Sequence, residues 1–104
     1  MEKNMITREV QEELYANIIV FLGKKINKEF RYAINFNPEF NCNDLSFFFN
    51  EVEDASNSSE ILKDARDSGI MPIQSIMSSK KDGKIIKIRI DQEKFLEIQN
   101  QDVA

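Results

Sequence analysis

The sequence predicts a small α+β domain in the order α-β-β-α-β-β-α, with a four-stranded, mostly antiparallel sheet covered by helices on one face. Three patterns carry this. Val10, Leu14, Ile18 and Leu22 recur every four residues, the spacing of an amphipathic helix. Phe30, Tyr32, Ile34 and Phe36 recur every two, the spacing of a strand. The turn Lys81-Asp82-Gly83-Lys84 separates two apolar runs, 73–79 and 85–90. Asp-Gly between such runs marks a hairpin, because Gly enters the φ > 0 region without steric cost.

Thr7 is placed to cap the first helix with its hydroxyl, and Glu9 sits in the first turn, where the helix dipole favours an acid. Ile18-Ile19-Val20-Phe21 alone would pass for a buried strand. The upstream run from Glu9 to Leu14 favours helix, so residues 8–22 are assigned to it. Gly23 supplies the stop, and Lys24 and Lys25 suit the negative end of the dipole. From Ile26 the period changes to two. Phe30, Tyr32, Ile34 and Phe36 form the inner face of a half-buried strand, and Glu29, Arg31, Ala33 and Asn35 its outer face. Asn37-Pro38-Glu39 breaks this strand, and the Asn-rich passage to Asn43 is a loop. Leu45, Phe47 and Phe49 align on the next strand, with Phe48 reversed, and the short connection implies antiparallel pairing.

Residues 51–59 read as a polar, acidic connection. Asn57 and Glu60 have the spacing of a capping box, with Ser58 or Ser59 as alternative caps. Ile61, Leu62 and Ala65 then give a narrow apolar stripe, and Gly69 ends the helix. Pro72 cannot donate to a ladder, so the hairpin starts at an edge or outside the sheet. A two-residue loop at Asp82-Gly83 places Ser75, Met77 and Ser79 on the face of Ile86, Ile88 and Ile90. A three-residue loop with a Gly bulge places Gln74, Ile76 and Ser78 there instead. The first register aligns Ile73 and Met77 with the isoleucines and is the one expected. Asp91 suits the N-cap of a last short helix, with Phe95, Leu96 and Ile98 on its apolar side. Residues 1–6 and 101–104 are expected to fray.

A chain of 104 residues is one domain, 1–104, with one core. Hydrophobic residues at 41% and charged residues at 31% give an ordinary globular balance, which argues against wholesale disorder. Isoleucine outnumbers leucine 14 to 5, a bias associated with AT-rich bacterial, phage or mobile-element coding sequence. The net charge of −4 argues against a general nucleic-acid binder, since phosphate affinity rests on excess Lys and Arg. Cys42 is the single cysteine and cannot form an internal disulfide. The first residues are too few and too polar for a signal peptide, and no apolar run approaches ~18 residues. The expected location is the reducing cytoplasm, with no membrane partner.

The chain has no histidine, which removes the commonest general base and the commonest transition-metal ligand. Ser-His-Asp and Cys-His nucleophile systems are therefore impossible, and Cys42 has no partner for a zinc site. Glu51, Glu53 and Asp54 could in principle hold Mg²⁺ or act as acid and base, but a solvated acidic loop before a helix explains them more simply. No catalytic residue, metal or cofactor is expected, and the chain is not expected to be an enzyme.

Two surface features remain. Lys80, Lys81, Lys84, Lys87 and Arg89 less Asp82 give the hairpin +4, so the rest of the chain carries −8. Such charge deters edge aggregation, or it makes a basic finger for an acidic partner or a nucleic-acid backbone. No aromatic within the hairpin is placed to stack on bases, which weakens the nucleic-acid version. The second feature is the sheet face away from the helices, where Phe48, Ile76 and Ile85 are expected beside Arg31, Lys87 and Arg89. An apolar cluster ringed by cations has the composition of an interface core, although the last helix or a second copy of the chain could cover it.

The expected function is a small, non-enzymatic protein-binding factor of the inhibitor or immunity type, or a dedicated chaperone. Its acidic residues Glu51, Glu53, Asp54, Glu60 and Asp64 would meet a basic groove, with electrostatics raising on-rate and specificity. The second reading is a nucleic-acid-binding regulator acting through the basic hairpin.

Overall fold

The computed structural model describes residues 8–79, 81–91 and 93–95. Six elements follow in order: α1 Arg8–Ile26, β1 Arg31–Asn37, β2 Cys42–Phe48, α2 Val52–Asp67, β3 Ile73–Ser78 and β4 Ile85–Ile90. A helical turn at 93–95 begins the last element of the α-β-β-α-β-β-α order. There Asp91 caps as expected, its carboxylate accepting the Lys94 amide at 3.0 Å and its carbonyl the Phe95 amide at 2.9 Å. The Thr7 cap, the frayed ends and Leu96 and Ile98 lie outside the described residues. Among those described, no helix is long and apolar enough to cross a membrane.

The four strands form one antiparallel sheet in the order β1-β2-β4-β3. Both hairpins are neighbours in sequence, and β2 and β4 meet at the centre. Alternation along each strand sorts the side chains into two faces. On the inner face Leu45 lies opposite Ile88 and Phe47 opposite Ile86, all fully buried. Leu14, Tyr15, Ile18 and Leu22 of α1 and Ala55 and Leu62 of α2 complete that core. Phe30, just before β1, stands edge-on to Phe47 with ring centres 5.5 Å apart.

α1 runs three residues past Gly23, the stop read from the sequence. Gly23 is instead an interior helix residue, where a Cβ would stand an ordinary 3.8 Å from the Phe30 ring. The left-handed residue that ends α1 is Asn27, φ 52°, a side chain that tolerates this region. α2 starts at Val52 rather than near Asn57. Glu53 and Asp54 sit in its first turn, where the dipole favours them, and Ala55, Ser58, Ser59 and Ala65 are buried on its inner side. The serines read as caps are therefore small residues that let α2 lie close to the core. Its C-terminal end closes as expected at Gly69, φ 82°, with Ile70 N–H donating to Ala65 C=O and Gly69 N–H to Arg66 C=O.

From its turn to Ile76 the 73–90 hairpin departs from the two-residue-turn register expected and takes that of the three-residue loop, with Ile73 rather than Gln74 facing the isoleucines. Ile76 pairs with Ile88 and Ser78 with Ile86, and an irregularity between Ile73 and Ser75 shifts the strand. That extra residue switches the alternation, so Ile73 and Ile76, of opposite parity, both reach the inner face. The two-residue turn would have buried Ser75 and Met77 and turned Ile76 outward. Instead Ser79 N–H donates to Ile85 C=O, Gly83 N–H to Ser79 C=O, and the Asp82 carboxylate accepts the Lys84 amide at 3.0 Å. That last bond is the first cause of the lowered Asp82 pKa.

At the opposite end of the sheet, β2 and β4 separate beyond the Asp44–Arg89 pair. Two side chains of α1 enter there. Gln11 Oε1 accepts the Asn43 amide at 3.2 Å, and the Tyr15 hydroxyl donates to the Asn43 carbonyl. A helix thus satisfies the backbone polar groups that the strand ladder leaves, which keeps the sheet end dry at no loss of hydrogen bonds. Burial pushes the Tyr15 phenol well above its ordinary value.

Candidate functional site

The outer face of the sheet is the candidate site, because α1 and α2 both pack on the inner one. Its rows follow from the register. Arg31, Phe48 and Ile85 stand side by side across β1, β2 and β4, and the next row is Ala33, Ser46, Lys87 and Met77. The third is Asn35, Asp44, Arg89 and Ser75. The Arg31 guanidinium lies 5.9 Å from the Phe48 ring centre. Met77 is exposed, and with Ser79, Ile85 and Lys87 it lines a shallow depression of about 240 Å³.

Phe48 and Ile85 therefore meet where the sequence placed them. Ile76 does not. It faces inward opposite Ile88 and packs against the core, the consequence of the register set at the turn. Its place on the outer face is taken by Met77.

Arg89 also departs from expectation. It is 9% exposed and bound to Asp44, itself 4% exposed, with Nε–Oδ1 at 2.9 Å and a second nitrogen to Oδ2 at 3.1 Å. Asn37 donates to the same carboxylate at 3.0 Å, and Phe40 from the β1–β2 turn lays its ring 3.9 Å from the guanidinium carbon. Burial alone would raise the Asp44 pKa, but the bonds from Arg89 and Asn37 outweigh it and hold the carboxyl below its usual range. Arg89 is raised in turn, first by its bond to Asp44. Burial pushes the neighbouring Cys42 thiol up, with the Asp44 charge adding to it, so the thiol is a poor nucleophile.

The hairpin is not a free basic finger. Lys81, Lys84 and Lys87 are exposed, and Lys80 lies outside the described residues. The turn folds onto the start of α2, where a Cβ on Gly83 would be 3.5 Å from Val52, and Lys84 C=O accepts the Phe49 amide at 2.9 Å. The turn thus lies against the N-terminal end of α2, where Glu51 and Glu53 are both exposed.

The remaining acidic residues form no single patch with these. Asp54 and Glu60 line an open groove of about 430 Å³ whose other bank holds Lys25 and Lys28 of the α1 end. Asp64 lines a neighbouring depression with Phe21 and Lys25. Cations of the chain already face these acids. Among the described residues, no three of His, Cys, Asp or Glu gather closely enough to hold a metal ion.

Sorting charge by sheet face gives a cleaner division than the hairpin does. On the outer face of the four strands, Arg31, Lys87 and Arg89 against Asp44 leave +2, in a chain of net charge −4. What sequence reasoning missed is the Asp44–Arg89 pair with its Phe40 cover, and the Tyr15 and Gln11 insertion. The strand read from the sequence began at Leu45, so Asp44 was not placed on it, and only the register makes Asp44 and Arg89 neighbours. Comparison with protein families, with curated proteins and with solved structures finds no match to this chain, so the chemistry of this face carries the functional reading.

Proposed function

We propose that the chain is a small, non-enzymatic protein-binding factor, of the inhibitor or immunity type or a dedicated chaperone, that holds an acidic partner protein against the outer face of its sheet. One observation carries this: the face left open by α1 and α2 joins Phe48, Ile85 and Met77 to a net positive charge in an acidic chain. Apolar anchors within a charged rim are the composition of a protein interface, where the centre supplies affinity and the rim steers encounter. The absence of histidine from the sequence and the raised thiol of Cys42 leave recognition as the better-supported role.

The nucleic-acid reading fares worse on the same face. Both aromatic rings near it, Phe48 and Phe40, already carry an arginine, and Arg89 is neutralised by Asp44. The rings that could stack on bases are thus already engaged, and one of the face's cations is neutralised within the chain. The test places a photo-crosslinking residue at position 77 or 87, with position 63 on the exposed side of α2 as control. The expected result is an adduct with an acidic protein at 77 and 87 only, the one at 77 reduced by Lys87→Glu. Adducts equal at all three positions, or with RNA alone, would sink the proposal.

A further inference from the structure

The two edges of the sheet are unequally protected. β3 follows the buried Pro72, carries the irregularity between Ile73 and Ser75, and has α2 packed against it. These are devices that stop a strand from pairing with another chain. β1 has Pro38 directly after it, but neither an irregularity nor a helix packed on it. Its seven residues pair with β2 in unbroken register, with no proline and one charge, Arg31 at its first position. Beyond it the apolar face of the sheet goes on uncovered. Tyr32, Ile34 and Phe36 share a face with the fully buried Phe47 and Leu45, yet they are 54%, 36% and 60% exposed. The half-buried strand expected here has its inner side in water, because α1 and α2 stop short of it.

We infer that a second copy of this chain covers this strip, β1 against β1, antiparallel about a twofold axis through Ile34. The strand is self-complementary about that residue. Ile34 meets Ile34 of the second copy, and Tyr32 meets Phe36 twice, giving close cross-strand apolar pairs. The two Arg31 groups fall at opposite ends, six residues apart, or ~20 Å at ~3.3 Å per residue, beyond the ~8 Å screening length at physiological salt. A parallel arrangement would bring them together. The twofold also closes the assembly, since it consumes the one unprotected edge of each copy. Its product is an eight-stranded sheet with both helix layers on one side and both outer faces on the other.

The area sets the strength. Two half-exposed aromatics, Ile34 and the paired strand edges cover roughly 450 Å² per copy, about 900 Å² in all, the size class of reversible rather than permanent association. Dimerisation is therefore concentration-dependent, with a dissociation constant on the order of 10–100 μM.

Sedimentation equilibrium from about 5 to about 500 μM, together with amide hydrogen exchange of β1, tests this. The weight-average mass rises from one chain to two, and β1 amides gain protection with concentration. Ile34→Lys or Ile34→Glu alone weakens association at least about tenfold, because like charges meet on the axis, and mixing the two variants restores it. A chain that stays monomeric throughout the range overturns the inference. So does a dimer whose β1 amides show no concentration dependence, or one that Ile34→Lys leaves intact. Should the lysine variant not fold, exchange in the unaltered chain still decides. The outer-face proposal stands or falls separately, on the adducts at 77 and 87.

Discussion

Removing the Arg89 side chain should be among the most damaging single changes available in this protein. Arg89→Met keeps the stem and deletes the guanidinium, leaving the Asp44 carboxylate 4% exposed with Asn37 as its remaining side-chain donor. Two charge-assisted bonds, at 2.9 and 3.1 Å, and the Phe40 stack at 3.9 Å are lost together. Breaking a buried pair by removing one partner costs about 3–5 kcal/mol, mostly from the stranded charge. A domain of this size is stable by roughly 5–15 kcal/mol, so this is a large share of the whole. Deleting both charges, as in Asp44→Val with Arg89→Met, should recover most of the loss, since no buried carboxylate is then left alone. Urea unfolding of the four members of the cycle reads this directly from midpoints at constant slope. A loss below about 1 kcal/mol for Arg89→Met would refute the reasoning, because it is the size of a solvent-exposed pair.

Two further predictions follow from the same packing. Asp44 is held below the ordinary carboxylate range in the folded state, so its contribution is present above the unfolded pKa of ~3.9 and disappears as pH falls through the lower folded value. Thermal melts should therefore show the wild type losing stability below about pH 4 more steeply than Asp44→Asn does, and parallel curves would count against the shift. Alanine inside the helices should stabilise at two positions. Gly23→Ala meets the Phe30 ring at an ordinary 3.8 Å and gains up to about 1 kcal/mol of helix propensity, and Ser58→Ala removes a buried hydroxyl that has no partner among the described residues. Melting temperatures rise for both, whereas Gly83→Ala, at φ 68° and 3.5 Å from Val52, lowers its own.

Periodicity and turn chemistry were enough to read the α+β class and the antiparallel hairpins. They also gave the inward sets Leu45, Phe47 and Ile86, Ile88, Ile90, because these depend only on each residue's near neighbours. The errors arose where a long-range contact decides. Gly23 looks like a stop, but the helix continues to Ile26 and ends at Asn27, and Ser58 looks like a cap until the core needs a small residue. Ile76 faces inward because the register from the turn pairs it with Ile88, and an extra residue between Ile73 and Ser75, which nothing local announces, brings Ile73 in as well. At the candidate site, Phe48 beside Ile85 was legible from alternation. Arg89 was read as a free cation because its partner lies 45 residues away, on a strand whose register alternation leaves undetermined.

Tyr15 and Gln11 tie the N-terminal half of α1 to the gap between the two central strands. The first helix is thereby a keystone for the barely paired end of the sheet rather than a lid laid over it. Lifting it would strand the peptide groups of Asn43 as well as expose hydrocarbon, so helix and sheet end must be lost in one step. Fraying that starts at the N-terminus meets a latch at Gln11, well before it can reach the core around Ile18.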